Sequence, residues 1–284
     1  MSEEKQYSWD AEDYARHSSA QQSWARELIS KLDLQGNEAV LDIGCGDGRI
    51  TAEIAQLLPQ GEILGVDSSA DMLELAREKF SWSTFPNLSF QQRDARELTC
   101  EAEFDVIFSN AALHWLQDHR PVLIGISRAL KIGGRILLQM AGKGNAASIL
   151  TVLDELILAK EWQQYFVDFT FPYGFYGPEL YTVWLKEAGL HPVRVELIPK
   201  DMSYAERAGL EGWVRTTWLP YTEQIPVARR DAFITELVDR YLAKHPVDSK
   251  GYVHVRMMRL EVEASLGERR ELCLIPQPGP TDVP

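Results

Sequence analysis

The sequence is short of cysteine and of any metal-binding spacing. Its cysteines are Cys45, Cys100 and Cys273. Their number is odd and no CxxC pair occurs, which excludes a disulfide framework and fits a reducing, cytoplasmic setting. The six histidines are scattered without an HExxH spacing, so no metal is expected. No apolar run approaches the roughly 20 residues that a membrane-spanning helix needs, so no membrane partner is expected. The opening "MSEEKQYSWDAEDY" is acidic and polar, unlike a secretory leader. Basic residues are scarce too: 29 Lys and Arg stand against 42 Asp and Glu, for a net charge of −13. That field repels phosphate backbones, so nucleic acid is not expected as a partner. A small anion in a local basic pocket stays open.

What remains is ordinary globular composition, 45% hydrophobic and 25% charged over 284 residues. A chain of this length forms one large domain or two small ones, and buries roughly 75% of its unfolded surface without a covalent staple.

Between residues 39 and 140, apolar strands alternate with helical patterns five times. Strands are expected at 39–44, 62–67, 88–94, 104–110 and 135–140, with "KIGG" (131–134) as a turn before the last. Helices are expected at 10–33, 49–58 (closed by Pro59), 69–80 and 119–130. Ser68 or Ser69 would cap the helix at 69–80. Strands apolar on both faces and separated by helices predict a parallel sheet with right-handed crossovers. Beyond 140 the rhythm changes. Helices are expected at 148–162, 180–190, 205–221 and 229–245, strands at 192–198 and 251–265, and an aromatic Pro/Gly loop at 171–179. The Pro-rich end is expected to be mobile.

The stretch "VLDIGCGDGRIT" (40–51) runs a strand into Gly44, Gly46 and Gly48. The spacing is GxGxG. A dinucleotide fingerprint would need a third glycine where Arg49 stands. No GxxxxGK[ST] occurs, so a P-loop is excluded. Asp67 ends the next strand, where a carboxylate faces the ligand crevice of an open α/β sheet and accepts both hydroxyls of a ribose. Asp42 adds a second negative group. Two carboxylates disfavour a pyrophosphate and favour a nucleoside without phosphates, above all one that carries positive charge.

"VLDIGCGDGRIT", "GVDSSADML", "QQRDA" and "FDVIFSNAALHW" together resemble successive motifs of class I S-adenosylmethionine-dependent methyltransferases. The resemblance covers about residues 39–141. It implies a Rossmann-like α/β fold, with a seven-stranded, mostly parallel sheet, helices on both faces and a helical substrate lid. It implies S-adenosyl-L-methionine as cofactor and S-adenosyl-L-homocysteine as product. By the same resemblance Asp42, Gly44, Cys45, Gly46 and Gly48 lie at the methionine part of the cofactor. Asp67 and Ser68 hold the ribose, Met72 packs on the adenine, Asp94 and Ala95 meet its amino edge, and Asn110 lies under the sulfonium. Simpler readings stand beside these: glycines that only make a tight turn, Met72 as core, Asp94 as a helix cap. The implied organisation is an N-terminal helical cap (1–35), a cofactor-binding core (36–141), a region completing the sheet with helical lid insertions (142–265), and a tail (266–284).

"SNAALHWLQDH" (109–119) further resembles trans-aconitate methyltransferases and juvenile hormone acid methyltransferases, both of which esterify carboxylic acids. That resemblance points to His114, Trp115 and Gln21 as substrate-positioning residues, and to Tyr14 and His17 in an N-terminal segment closing over the cofactor. The half after residue 141 matches neither group closely. In "GWVRTTWLPY" (212–221), Arg215 among Trp213, Trp218 and Tyr221 is expected either to clamp a carboxylate or to lie on the surface with its stem over tryptophans. "FPYGFYG" (171–177) reads as a lid with glycine hinges or as a rigid packing loop. The expected partner is a small molecule and the expected state a monomer or weak dimer. A carboxylate is ionised at pH 7 and needs no base. The alternatives are C-, N- or phenol O-methylation with His114 as base, and a sensor that binds the cofactor without catalysis.

Overall fold

The computed structural model describes residues 19–267. Its elements in chain order are α1 (Ser19–Ile29), β1 (Ala39–Ile43), α2 (Arg49–Ala55), β2 (Glu62–Asp67), α3 (Ala70–Lys79), β3 (Leu88–Gln92), β4 (Phe104–Asn110), α4 (Arg120–Ala129), β5 (Leu130–Ala141), α5 (Ala147–Ile157), α6 (Pro178–Glu187), β6 (His191–Ala205), α7 (Glu206–Thr217), α8 (Leu219–Thr222), α9 (Val227–Lys244) and β7 (Tyr252–Ser265). The strands form one sheet in the order β3-β2-β1-β4-β5-β7-β6. The first five are parallel, and β7 runs antiparallel to both β5 and β6. This is the seven-stranded, mostly parallel sheet that the alternation and the resemblance imply.

Successive residues of the central strands serve opposite faces. Val40, Val106, Phe108 and Leu137 pack with Leu28 of α1 and Ala52 of α2. Leu41, Ile43, Ile107, Ile136 and Leu138 pack with Val122 and Ile126 of α4 and Tyr181 of α6. Each fully buried Leu or Ile contributes about 1.5–3 kcal/mol from area removed from water. A third cluster stands apart from the sheet centre. It joins α5, α7, α8 and α9 to the outer ends of β6 and β7 around Trp162, Trp213, Trp218 and Tyr241.

Several element ends differ from the sequence reading. Within the described residues the first helix ends at Ile29, because Asp33 takes a left-handed φ of 47°. Helix α2 stops at Ala55 and gives way to a turn before Pro59, and α5 stops at Ile157 rather than 162. "KIGG" belongs to β5, and the expected turn survives as a register shift opposite Phe104 and Val106. Strand β6 continues to Ala205 because β7 offers it a partner along its whole length. Ser69, not Ser68, caps α3, accepting the Met72 N–H at 3.3 Å. Among the described residues no helix is long and apolar enough to cross a membrane.

Helix α1 lies over β7. Trp24 covers the guanidinium of Arg259, 5.7 Å from the ring centroid, and Lys31 just beyond the helix donates to the buried Glu261 carboxylate at 2.8 Å. This seam ties the chain's first described helix to its last strand.

Candidate functional site

Two clusters meet at the C-terminal ends of β1, β4 and β5. The first is the glycine turn after β1. Gly44 and Cys45 donate their N–H groups to the Val66 carbonyl at 2.8 and 3.1 Å, which binds the turn to β2. Gly44 has φ +74°, and a Cβ there would stand 2.1 Å from the Cβ of Ala112. Ala111 itself takes φ +57°, so the "NAA" after β4 is a strained turn pressed against the glycine turn. Small residues on both sides permit that approach. A Cβ at Gly46, by contrast, would meet nothing within 4 Å, so the turn presents bare backbone to open space. Gly48, at φ +76°, precedes α2 and packs against Phe90 and Ala76.

Asp67 at the end of β2 accepts from the N–H groups of Gly46 and Ser69, both at 2.9 Å. Burial raises its carboxyl above the ordinary range, and the two N–H groups oppose that. Asp42 lies deeper, 2% exposed, and accepts from the Thr51 hydroxyl at 2.7 Å. Burial, with the Asp67 charge nearby, pushes its carboxyl up to about 7, and the Thr51 hydrogen bond works the other way. Cys45 is buried between them with its thiol pushed up. Met72 is buried on α3, Asn110 is half-buried at the end of β4, and Ser68 is exposed after β2. Asp94 caps the 3-10 turn Ala95–Glu97. It accepts from the Arg96 N–H at 2.8 Å, and the Arg96 guanidinium engages both its oxygens. The helix-cap reading therefore describes the Asp94 carboxylate.

The second cluster is a cavity of about 540 Å³, its open mouth included, beside the first. It lies between Ala111 and Ala141, which follow or end β4 and β5, and Trp213, Thr217 and Trp218 of the helical cluster. Its remaining walls include His114, Trp115, Asn145, Tyr173, Phe175 and Arg259. Arg259 is 4% exposed. His114 Nδ1, Thr217 Oγ1, Trp213 Nε1 and Trp218 Nε1 are buried without a hydrogen-bond partner among the described residues. Such atoms are rare in native interiors, and here all four belong to residues that line one pocket. Burial first, then the Arg259 charge, drives the His114 imidazole well below its ordinary range, so it is neutral at pH 7.

His114, Trp115 and Trp213 line one pocket, but other predicted residues do not. Arg215 is exposed on α7, and Tyr221 is 1% exposed in the helical core against Phe169 and Trp218. Neither borders the cavity. The clamp reading of Arg215 is corrected by helix geometry: Trp213 and Thr217, four apart, share the inner face, and Arg215 between them turns outward. The cavity's cation is Arg259, which the sequence reading missed. Its signal was there: in "RLEVEA", Arg259, Glu261 and Glu263 alternate with Leu260, Val262 and Ala264. Charges on one face of a strand covered on both edges need partners or a ligand.

The loop "FPYGFYG" is a fixed wall rather than a hinge. Gly174 donates to the His114 carbonyl at 3.0 Å, Gln117 to the Phe171 carbonyl at 2.9 Å, and Tyr173 to the Thr217 carbonyl at 3.1 Å. A Cβ on Gly174 would stand 2.2 Å from the Leu116 carbonyl. Tyr14 and His17 lie outside the described residues, as does the side chain of Gln21.

The sequence profile of the methyltransferase domain matches residues 34–188. The chain belongs to that methyltransferase family. It is a class I S-adenosylmethionine-dependent methyltransferase, with S-adenosyl-L-methionine as its cofactor. An uncharacterized methyltransferase of Schizosaccharomyces pombe is 33% identical over 196 residues, covering 68% of this chain and 74% of its own length. A trans-aconitate 2-methyltransferase of Rhodopseudomonas palustris is 28% identical over 263 residues, 90% of this chain and 98% of that one. The fold is shared with the YcgJ protein of Bacillus subtilis (TM-score 0.56, 19% identity, 87% of this chain and 99% of that one). It is shared too with a Haemonchus contortus phosphoethanolamine N-methyltransferase solved with S-adenosyl-L-methionine (TM-score 0.57, 18% identity, 91% and 57%).

Proposed function

We propose that this methyltransferase transfers the methyl group to a carboxylate oxygen of a small organic acid. The observation that carries the reading is the cavity beside the β4 and β5 ends. The side chains that line it include a buried arginine, two tryptophans whose indole N–H groups lack a partner among the described residues, and a threonine with an equally unpartnered hydroxyl. N–H donors and a guanidinium suit a carboxylate, and oppose an ammonium or amine acceptor.

The glycine turn fits the cofactor. Gly46 exposes backbone with room above it, and the carboxyls of Asp42 and Asp67, both raised by burial, stand where the positive charge of a bound sulfonium and ammonium would favour their ionised form. In this reading Gly44, Cys45, Gly46 and Gly48 lie along the methionine part. Asp67 and Ser68 take the ribose hydroxyls, Met72, Asp94 and Ala95 border the adenine, and Asn110 lies at the sulfonium end. When bound, the cofactor supplies an electrophilic methyl group. The protein supplies the rest. Trp213, Trp218 and Arg259 orient the carboxylate, and Tyr173, Phe175 and Trp115 exclude water from it. An acid with pKa near 4 arrives ionised, so no side chain need remove a proton. Neutral His114 then acts as a positioning group at the strand end. In this reading the core at 36–141 holds the cofactor, and 142–265 completes the sheet and walls the acceptor.

The test uses methyl-labelled S-adenosylmethionine with small acids, phenols and amines, followed by base. Label released as methanol supports the ester. Label that survives base overturns it in favour of C-, N- or phenol O-methylation, with His114 as the first candidate base.

A further inference from the structure

We infer that the acceptor carries one carboxylate on a flat or linear apolar body, and that a tricarboxylate does not fit. The inference rests on the carboxylate reading above and narrows it. Among the described residues that border the cavity, Arg259 is the sole formally charged side chain, because His114 is held neutral by burial. The unpartnered polar atoms His114 Nδ1, Thr217 Oγ1, Trp213 Nε1 and Trp218 Nε1 can serve one carboxylate and one neighbouring polar group. The other walls are Trp115, Tyr173, Phe175, Met202 and Met257, with Ala111 and Ala141 at the strand ends.

A first carboxylate therefore finds a cation and neutral donors. A second or third would lose its water against ring faces, which carry negative charge density, and would gain no cation from the described residues. The aromatic walls are themselves interlocked. Tyr173 stacks on Phe175 at 5.3 Å and meets Trp115 at 5.0 Å and Trp218 at 5.6 Å, so the slot does not readily reshape for a bulkier polyanion. The loop's hydrogen bonds to the His114 and Thr217 carbonyls hold those rings in place. Esterification also changes recognition. The methyl ester carries no charge for Arg259 to hold, so the product binds less well than the substrate.

The experiment uses the full chain with S-adenosylmethionine. It compares kcat/KM for benzoate, trans-cinnamate, decanoate and dodecanoate with that for trans-aconitate, and reads base-released methanol. Binding of trans-cinnamate and methyl trans-cinnamate to the S-adenosylhomocysteine complex is measured by calorimetry. The expected result is at least one monocarboxylate tenfold or more above trans-aconitate. Its methyl ester should bind at least tenfold more weakly than the acid. Trp213→Phe and Trp218→Phe, which keep the ring and remove the N–H, should each lower kcat/KM for that acid about three- to tenfold. Preference for trans-aconitate, with base-labile product, overturns this inference and leaves ester formation standing. Base-labile product from none of these acids, with the cofactor bound, overturns both.

Discussion

The glycine turn and the acceptor cavity lie side by side, yet they are built from different material. The turn is made largely of backbone. Its glycines and the "NAA" strained turn come from two short segments at the ends of β1 and β4, and the Asp67 carboxylate from the end of β2. The cavity is made of side chains from β7, α7, the loop at 171–177 and the segments after β4 and β5, so the segment after β4 serves both. A backbone site tolerates few sequences, because left-handed φ favours glycine and the close approach of Ala112 to Gly44 leaves no room for a larger side chain. A side-chain site can be assembled from many sequences, so long as the indoles and the guanidinium converge.

The comparison predicts that damage to the two regions is separable. The largest effect is expected for Arg259→Met, which should cut kcat/KM for the acid acceptor by about a hundredfold, roughly 3 kcal/mol, through loss of a buried charged donor. Cofactor affinity, read by calorimetry, should stay within about twofold; a parallel loss there would join the two sites into one. Next is Gly44→Ala. Its Cβ meets Ala112 and its φ is positive, so stability should fall by about 2 kcal/mol in a urea melt. Gly46→Ala has no such neighbour, and should cost cofactor affinity rather than comparable stability.

Asp67→Ala should weaken cofactor binding about tenfold, roughly 1.4 kcal/mol, with the acceptor KM little changed. An unaltered cofactor affinity in a folded variant would remove Asp67 from the ribose role. Asp42 offers a pH signature of comparable size. Its carboxyl is raised from 3.8 to about 7 in the folded protein, so the native state holds a proton that the unfolded chain releases. The cofactor-free protein should therefore lose stability, relative to Asp42→Asn, as pH rises from about 4 to about 7. The slope is up to about 1.4 kcal/mol per unit. Melting curves of both proteins across that range check the sign. The smallest effect is expected for Arg215→Ala, which should change acid turnover less than twofold, because its side chain is exposed outside the cavity.

Trp213 and Arg215 show where sequence reading ends. Both stand in "GWVRTTW", and proximity in the chain groups them, but helical spacing sends one inward and the other to solvent. Periodicity within that segment favours Trp213 with Thr217. The partner cation comes from a strand about forty residues later; the alternation in "RLEVEA" marks it as a charge in need of a partner, but no local pattern joins it to Trp213. Tyr221 went to the helical core for a related reason: α8 is a separate short helix, so its register does not continue α7.

By itself the sequence determined the parallel sheet, the strand limits of β2 and β4, the glycine turn and the carboxylate at the end of β2. Each of these follows from local rules: apolar alternation, φ values open to glycine, and the placement of a strand's last residue. Tertiary structure alone decided that Arg259 lines the cavity, that Arg215 does not, and that the aromatic loop is hydrogen-bonded to its walls. Those outcomes depend on which distant segments pack together. Contacts between β7, α7 and the loop arise from burial of surfaces far apart in the chain, and such burial leaves no short-range trace.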